Sequence, residues 1–332
     1  MKGNLMQEKE RKSRKKRFPF RTVLMTVAVT AVSVGIIAYL VAYNAVKKQY
    51  EYSRQPIVIE ESEAMKTLKD NLASGTGVTM ALRQSFKNYL IIYSGNSYSF
   101  YPVNYDMKMH NRKKENLRVL PSGEWQYIEK GRKVSRKGID VSSHQGEISW
   151  ADVKEDGVEF AIIRAVYRGY ESGKLVVDTC FNDNAKGANE QGIETGAYLF
   201  SQAINEAELD EEIELLLETI RPYDIKGPVV MDIEPADGGA GRADSLSASE
   251  RTALAKHFTE KIKAAGYRPM LYYNYETALL LLNTDELEES DKWYASYTSD
   301  FYYPYYYSYW QYTSSGKVKG INGDVDMDIC FE

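Results

Sequence analysis

From Lys137 to the C-terminus the chain alternates short apolar runs with longer amphipathic ones, and nothing else in it restricts the fold as much. The strand-like runs are "GIDVS", "FAIIRAVY", "TGAYLF", "GPVVMDIE" and "RPMLYYNY", followed at closer spacing by "KWYASY", "SYWQYT" and "DVDMDIC". Helical patterns separate the early ones. "DTCFNDNAKGANEQG" closes on Gly192, "NEAELDEEIELLLETI" opens with a capping box from Asn205 to Glu208, and "SASERTALAKHFTEKIKAAG" opens with another from Ser247 to Glu250. Five βα units followed by three strands with little helix between them predict an irregular, TIM-like (β/α)5(β)3 barrel over residues 137–332. A doubly wound open sheet is the competing α/β architecture, but no glycine-rich phosphate loop follows any strand.

The N-terminal part has a different texture. The first 22 residues carry nine Lys/Arg and two Glu, so a formal charge of −5 conceals a basic arm of about +7 on a body of about −12. An acidic body argues against a nucleic-acid partner, which needs clustered cations on the folded domain. "TVLMTVAVTAVSVGIIAYLVAY", Thr22 to Tyr43, is uncharged and about long enough to cross a bilayer core. The cationic excess precedes it, which predicts a single-pass signal anchor over 22–43, a cytoplasmic arm over 1–21 and an extracellular remainder. A cleaved signal peptide is the alternative, without a clear small-x-small exit before "NAVKKQY". Residues 44–75 read as a polar, partly helical stalk. Residues 76–136 read as a small β-containing module or spacer, with a hairpin signal at Gly95-Asn96 and a third strand in "GEWQYIE".

Within the barrel, acids fall where strands end. Asp232 and Glu234 close "GPVVMDIEP", two apart and so on one face of an extended chain; Asp140 follows "GI"; Asp326 lies in "GDVDMDIC", where Asp324, Asp326 and Asp328 alternate with apolar residues. The C-terminal ends of barrel strands line the mouth where active sites form. Carboxylates gathered there resist simultaneous ionisation, which raises one pKa, and glycoside hydrolysis uses such an unequal pair. A D-x-E pair by itself is usually only solvated surface.

The surroundings are more specific. From "GIDVSSHQGEISWADVKEDGVEFAIIRA" through "DTCFNDNAKGANEQGIETGAYLF", "GPVVMDIEP" and "GYRPMLYYN" to "YWQYTSSGKVKGINGDVDMDIC", the chain resembles glycoside hydrolase family 25, the Chalaropsis-type lysozymes, across nearly all of 137–332. The resemblance implies a β-1,4-N-acetylmuramidase acting on peptidoglycan glycan strands without metal or cofactor. It implies Glu234 as general acid, Asp232 as its partner, and Asp140 and Asp326 as the other two acids of the site. Two departures stand out: "RAVYRGYESG" replaces a Lys-Ala-Thr-Glu-Gly-like run, and Leu199 occupies a place where histidine is usual. A peptidoglycan-binding scaffold on a lapsed barrel is the non-enzymatic alternative.

Candidate substrate contacts are Tyr198, Tyr273 and Trp310 near strand ends, Tyr167 at the end of the second strand, and Gln145, which could equally cap a turn. Of the 27 tyrosines, those in "DFYYPYYYSYWQY" could form a stacking wall for sugars or pack the barrel. Cys180 and Cys330 read as thiols with no fixed pairing, and the three histidines have no zinc-ligand spacing.

Overall fold

The computed structural model describes residues 33–47, 63–94, 96–236, 239 and 241–332. The chain divides into two units, residues 1–58 and 59–332. In the first, residues 33–47 form helix α1, whose apolar side chains, Ile37 and Tyr39 among them, are exposed. Among the described residues no helix is long and apolar enough to cross a membrane. Residues 22–32 of the expected span, the basic arm 1–21 and residues 48–62 of the expected stalk lie outside the described residues.

The second unit opens with helices α2 (Glu63–Ala73) and α3 (Val78–Ser85). The hairpin β1 (Tyr89–Ser94) and β2 (Ser97–Pro102) follows, with Asn96 at φ 68° in its turn. Asparagine tolerates that left-handed geometry, which is what made the pair legible. Then come β3 (Leu117–Val119), β4 (Trp125–Glu129) and β5 (Arg132–Lys133), a separate three-stranded sheet. "GEWQYIE" is therefore a strand, but of this sheet and not of the hairpin's.

The barrel is built from β6 (Ser135–Val141), α4 (Trp150–Glu155), β7 (Phe160–Arg168), β8 (Leu175–Val177), α5 (Phe181–Glu190), β9 (Glu194–Phe200) and α6 (Glu206–Ile220). It continues through β10 (Ile225–Asp232), α7 (Ala248–Ala264), β11 (Pro269–Asn274), β12 (Asp291–Ala295), β13 (Tyr309–Gly316) and β14 (Val325–Phe331). Eight strands close in the order β6-β7-β9-β10-β11-β12-β13-β14 and back to β6, with β8 as a short flap on β7. Pairing is parallel from β6 to β13 and antiparallel where β14 meets β13 and β6. The fifth βα unit is reduced: β11 is followed only by a π-turn at Thr277–Leu281 and a 3-10 turn at Thr284–Leu287.

Alternation along the strands divides the apolar residues into two layers. Phe160, Ile162, Val230, Met270, Trp293 and Tyr309 fill the interior. Their neighbours, such as Ala161, Ile163, Val229, Leu271, Val325, Met327 and Ile329, face outward. Gly138 is required at the bottom of the interior, since a Cβ there would sit 2.1 Å from the Phe160 ring. Outside, α6 buries Leu209, Ile213, Leu216 and Ile220, a helical stripe against the sheet. Ser247 and Glu250 form the full expected capping box on α7. At α6 only half forms: Asn205 accepts from the Glu208 amide, while the Glu208 carboxylate is drawn to Arg242 at 2.6 and 2.9 Å. Held by that bidentate pair, the carboxylate accepts from the Ile204 amide at 3.3 Å and not from the Asn205 amide.

Residues 76–136 are packed into the barrel's outer core, rather than standing as a spacer. Leu90, Met107, Leu117 and Tyr127 belong to the same apolar cluster as Ile139 and Ile329. The tyrosine run holds the seam. Tyr302 accepts from the Ile91 amide and donates to the Tyr89 carbonyl, Tyr305 accepts from Asn104, and the Tyr303 carbonyl meets His110 Nε2 at 2.8 Å. Trp125 stacks on Tyr312 at 4.8 Å. Of the two readings of that run, packing is the one the fold uses for these residues. Both cysteines are free thiols, Cys330 buried at the barrel bottom and Cys180 half-buried before α5.

Candidate active site

Strand register brings the acids together. Asp140 on β6 sits directly across from Asp326 on β14, and Asp328, two residues on, shares their inward face. Asp232 ends β10 beside Tyr272 of β11, and Glu234 follows at the rim. Asp140 and Asp232 are 5% and 6% exposed, so their charges cannot be screened by water. Burial pushes the Asp140 carboxyl well up, and the charges of Asp326 and Asp328 push it further, against a 2.7 Å hydrogen bond from Gln311 Nε2. Burial also lifts Asp326, to about 6, with Asp140 donating to it and partly offsetting the rise. Asp328 is raised chiefly by burial while Trp293 Nε1 donates to it at 2.8 Å. Asp140 is thus the proton holder of a three-carboxyl cluster, as the repulsion of like charges requires.

Asp232 is raised by burial first and by the charge of Glu234 second, with Arg164 pulling the other way. Its Oδ1 is buried without a hydrogen-bond partner. Arg164 is fixed by Asp178 at 2.8 Å and by Ser143 Oγ at 3.0 Å. Asp178 is itself anchored by the Ser143 and Cys180 amides. Gln311 is held in the opposite sense, its Oε1 accepting from Tyr272 and Tyr297 at 2.9 and 3.0 Å. Its amide is therefore oriented with nitrogen toward Asp140.

A cleft crosses this end of the barrel in two lobes that meet at Glu234. The larger, about 630 Å³, is lined by His144, Arg164, Tyr167, Tyr198, Asp232 and Glu234 among others. The smaller, about 350 Å³, runs from Glu234 along Tyr272, Asn274, Tyr275, Tyr297 and Tyr302. Both are of a size for sugar rings.

The expected catalytic set, Asp140, Asp232, Glu234 and Asp326, converges on this mouth, and Tyr167 and Tyr198 line it. Tyr273 and Trp310 do not: each is 1% exposed and packed in the outer layer. Side chains on a strand alternate, so a one-residue offset moves a contact to the other side of the wall. The inward residues are their neighbours Tyr272 and Gln311, and period-two alternation from Asp232 and Asp326 was the signal that identifies them. Gln145 is occupied as a cap, its Oε1 accepting from the Ser142 amide at 2.9 Å. Leu199, the departure from the resembled pattern, is fully buried on the outward face and touches no part of the cleft. The other departure does reach it: Arg168 lines the large lobe, held by Glu212 at 2.7 Å and Glu211 at 3.0 Å.

Comparison with known proteins fits this geometry. A family model described as "Glycosyl hydrolases family 25" matches residues 139–321. The chain is 29% identical over 206 residues to lysozyme M1 of Streptomyces globisporus, covering 58% of this chain and 66% of that protein. It is 28% identical over 197 residues to the autolytic lysozyme of Clostridium acetobutylicum, covering 58% and 55%. The modular autolysin LytC from Streptococcus pneumoniae, solved in complex with a synthetic peptidoglycan ligand, superposes with a TM-score of 0.54 at 25% identity, over 74% of this chain and 57% of that one. The chain spans about two thirds or less of the length of these proteins.

Proposed function

The chain belongs to glycosyl hydrolases family 25, and from that premise we propose that it is a peptidoglycan hydrolase which cuts the β-1,4 bond between N-acetylmuramic acid and N-acetylglucosamine while held at the outer face of a membrane. The observation that carries the hydrolytic reading is the gathering of Asp140, Asp232, Asp326 and Glu234 at one mouth, with Glu234 standing where the two lobes of the cleft meet. A glycan strand lying along both lobes has a glycosidic oxygen over Glu234. In this reading the proton of the coupled Asp232–Glu234 pair passes to Glu234 when the substrate N–H bonds Asp232 and favours its ionised form, and Glu234 donates it to that leaving oxygen. Asp232, with an unpartnered Oδ1, accepts the N–H of the sugar's 2-acetamido group and aims the acetamido oxygen at the anomeric carbon. The substrate thereby supplies the hydrogen bond that no protein group makes to Asp232 Oδ1. Asp140 and Asp326, with their shared proton, hold the opposite wall and limit the negative charge there.

Release of reducing sugar from purified peptidoglycan, with the new reducing end identified, tests the bond. Muramic acid at that end supports the reading; N-acetylglucosamine there refutes it. Glu234→Gln should abolish turnover and leave the fold intact. Retention of anomeric configuration by NMR supports acetamido participation, and inversion points to direct attack by water.

Anchoring draws on the 22-residue uncharged run behind a basic arm and on the exposed apolar face of α1. A tether raises the enzyme's effective concentration at the wall, which an acidic body would otherwise approach slowly. Cell fractionation tests it: an intact chain extracted only by detergent supports the anchor, and a soluble chain with a new N-terminus near residue 44 refutes it.

A further inference from the structure

We propose that the smaller lobe of the cleft is a carboxylate-binding subsite whose key residue, Arg83, comes from outside the family-matched barrel. Arg83 lies on α3 and lines the lobe together with Glu234, Tyr272, Tyr275 and Tyr302. Ala81 and Leu82 beside it on α3 are buried with Ile91 and Phe100, and Tyr302 packs against the same cluster. The guanidinium rests on the Tyr302 ring at 4.0 Å from its centroid and on Tyr275 at 5.1 Å. Cation–π contacts of this kind fix the plane of the guanidinium and leave its edge free for a planar partner.

That edge is under-used. Arg83 donates from Nη2 to the Ile91 carbonyl at 3.4 Å and has the Tyr302 hydroxyl within hydrogen-bonding reach; its Nε is buried, so the donors it offers the lobe are those of its terminal nitrogens. No carboxylate lies within ion-pair distance of it among the described residues, whereas Arg136, Arg164, Arg168, Arg242 and Arg268 each pair with one. Glu276 lines the same lobe, is exposed, and is not paired with it. A half-buried cation aimed into a groove with spare donors is matched by an oxyanion, and a carboxylate fits its fork.

The position is not adventitious. Tyr302 is locked onto β1 through Ile91 N and Tyr89 O at 2.6 and 2.8 Å, so the seam that joins the N-terminal elements to the barrel also sets the guanidinium. The inference rests on the proposed hydrolase reading for the nature of the strand. It adds that the strand runs along the Tyr275 side past the N-acetylglucosamine next to the cleaved bond, and that the following N-acetylmuramic acid carries, on its stem peptide, a free carboxylate that Arg83 recognises.

The test uses the full chain in detergent, with two soluble glycan-strand substrates: one bearing stem peptides with free carboxyl groups, the other the same strands amidated at those groups. Wild type should favour the free-acid strands about tenfold in kcat/KM, as loss of one charge-assisted contact implies. Arg83→Gln should lose that preference, so that the gap between the two enzymes closes on amidated strands, and Arg83→Lys should recover part of it. An equal loss on both substrates, or none on either, overturns the subsite. Binding of the same two strands to Glu234→Gln, with and without Arg83→Gln, is measured by calorimetry as an arm independent of turnover. Arg83-dependent binding without hydrolysis by wild type would keep the subsite and refute the hydrolase. Hydrolysis with Arg83-independent binding would do the reverse.

Discussion

Replacing Asp326 by asparagine should make the fold more stable at neutral pH while removing the proposed activity. Burial holds the Asp326 carboxyl at a pKa of about 6 against an ordinary 3.8. Between those values the folded protein keeps a proton that the unfolded chain has released. Stability from this group is therefore greatest below pH 4, falls as pH rises toward 6, and stays lowered above it. Two pKa units correspond to about 3 kcal/mol, which sharing of the proton with Asp140 reduces, leaving about 1–3 kcal/mol. Asparagine does not titrate, so the advantage of D326N over wild type should grow by that amount from pH 4 to pH 7. The wild-type curve by itself would hide the effect. His110 is held neutral by burial, and secondarily by the charge of Arg112, with its pKa lowered to about 4 from 6.5. It binds a proton on unfolding below pH 6.5, so its contribution is lost as pH falls, in the opposite sense over the same window. Both proteins carry His110, and the difference between them cancels it. Urea titrations at pH 4, 5.5 and 7, followed by tryptophan fluorescence, measure the difference; the signal reports this unit alone, since Trp125, Trp150, Trp293 and Trp310 all lie within residues 59–332. An advantage that does not grow with pH refutes the burial cost.

Other substitutions separate the two layers of the barrel. Trp310→Ala and Tyr273→Ala should each cost about 3–5 kcal/mol of stability by denaturant titration, with KM unchanged in the folded fraction. Gln311→Leu should leave KM near its original value and cut kcat at least tenfold in the reducing-sugar assay, because Asp140 loses its donor and Tyr272 and Tyr297 lose their acceptor. Arg164→Met leaves Asp178, whose side chain is fully buried, without its cation, and should cost about 3–5 kcal/mol in the same titration. A chain cut to residues 137–332 should be recovered as aggregate, whereas residues 59–332 should be monodisperse by size exclusion, because the cut uncovers Trp310, Tyr312 and Phe331 where Trp125 and Tyr127 now pack.

What was legible in the sequence is what local periodicity encodes. All eight barrel strands and the helices α5, α6 and α7 follow from alternation and caps read along the chain, because each depends on neighbours two to four residues apart. The meeting of the four acids came instead from the barrel those strands imply and from the family resemblance, and Asp326 reaches the mouth from the start of the antiparallel β14, not from the C-terminal end of a strand. The substrate-facing aromatics failed for a reason of the same kind. Tyr272 and Tyr273 differ by one position, and propensity favours both equally; only the phase of the strand, already set by Asp232 in the adjoining register, distinguishes them. The seam was not legible at all. Tyr302 meets Tyr89 across more than two hundred residues, and Trp125 meets Tyr312 across nearly as many. A tyrosine can lie against sugar or protein with the same ring and the same hydroxyl, so composition cannot choose between them. The choice matters for function as well as packing: a run that closes the seam also carries Tyr302, and through it fixes Arg83 at the edge of the cleft. Residues that look like a spacer in sequence thereby form one wall of the proposed active site.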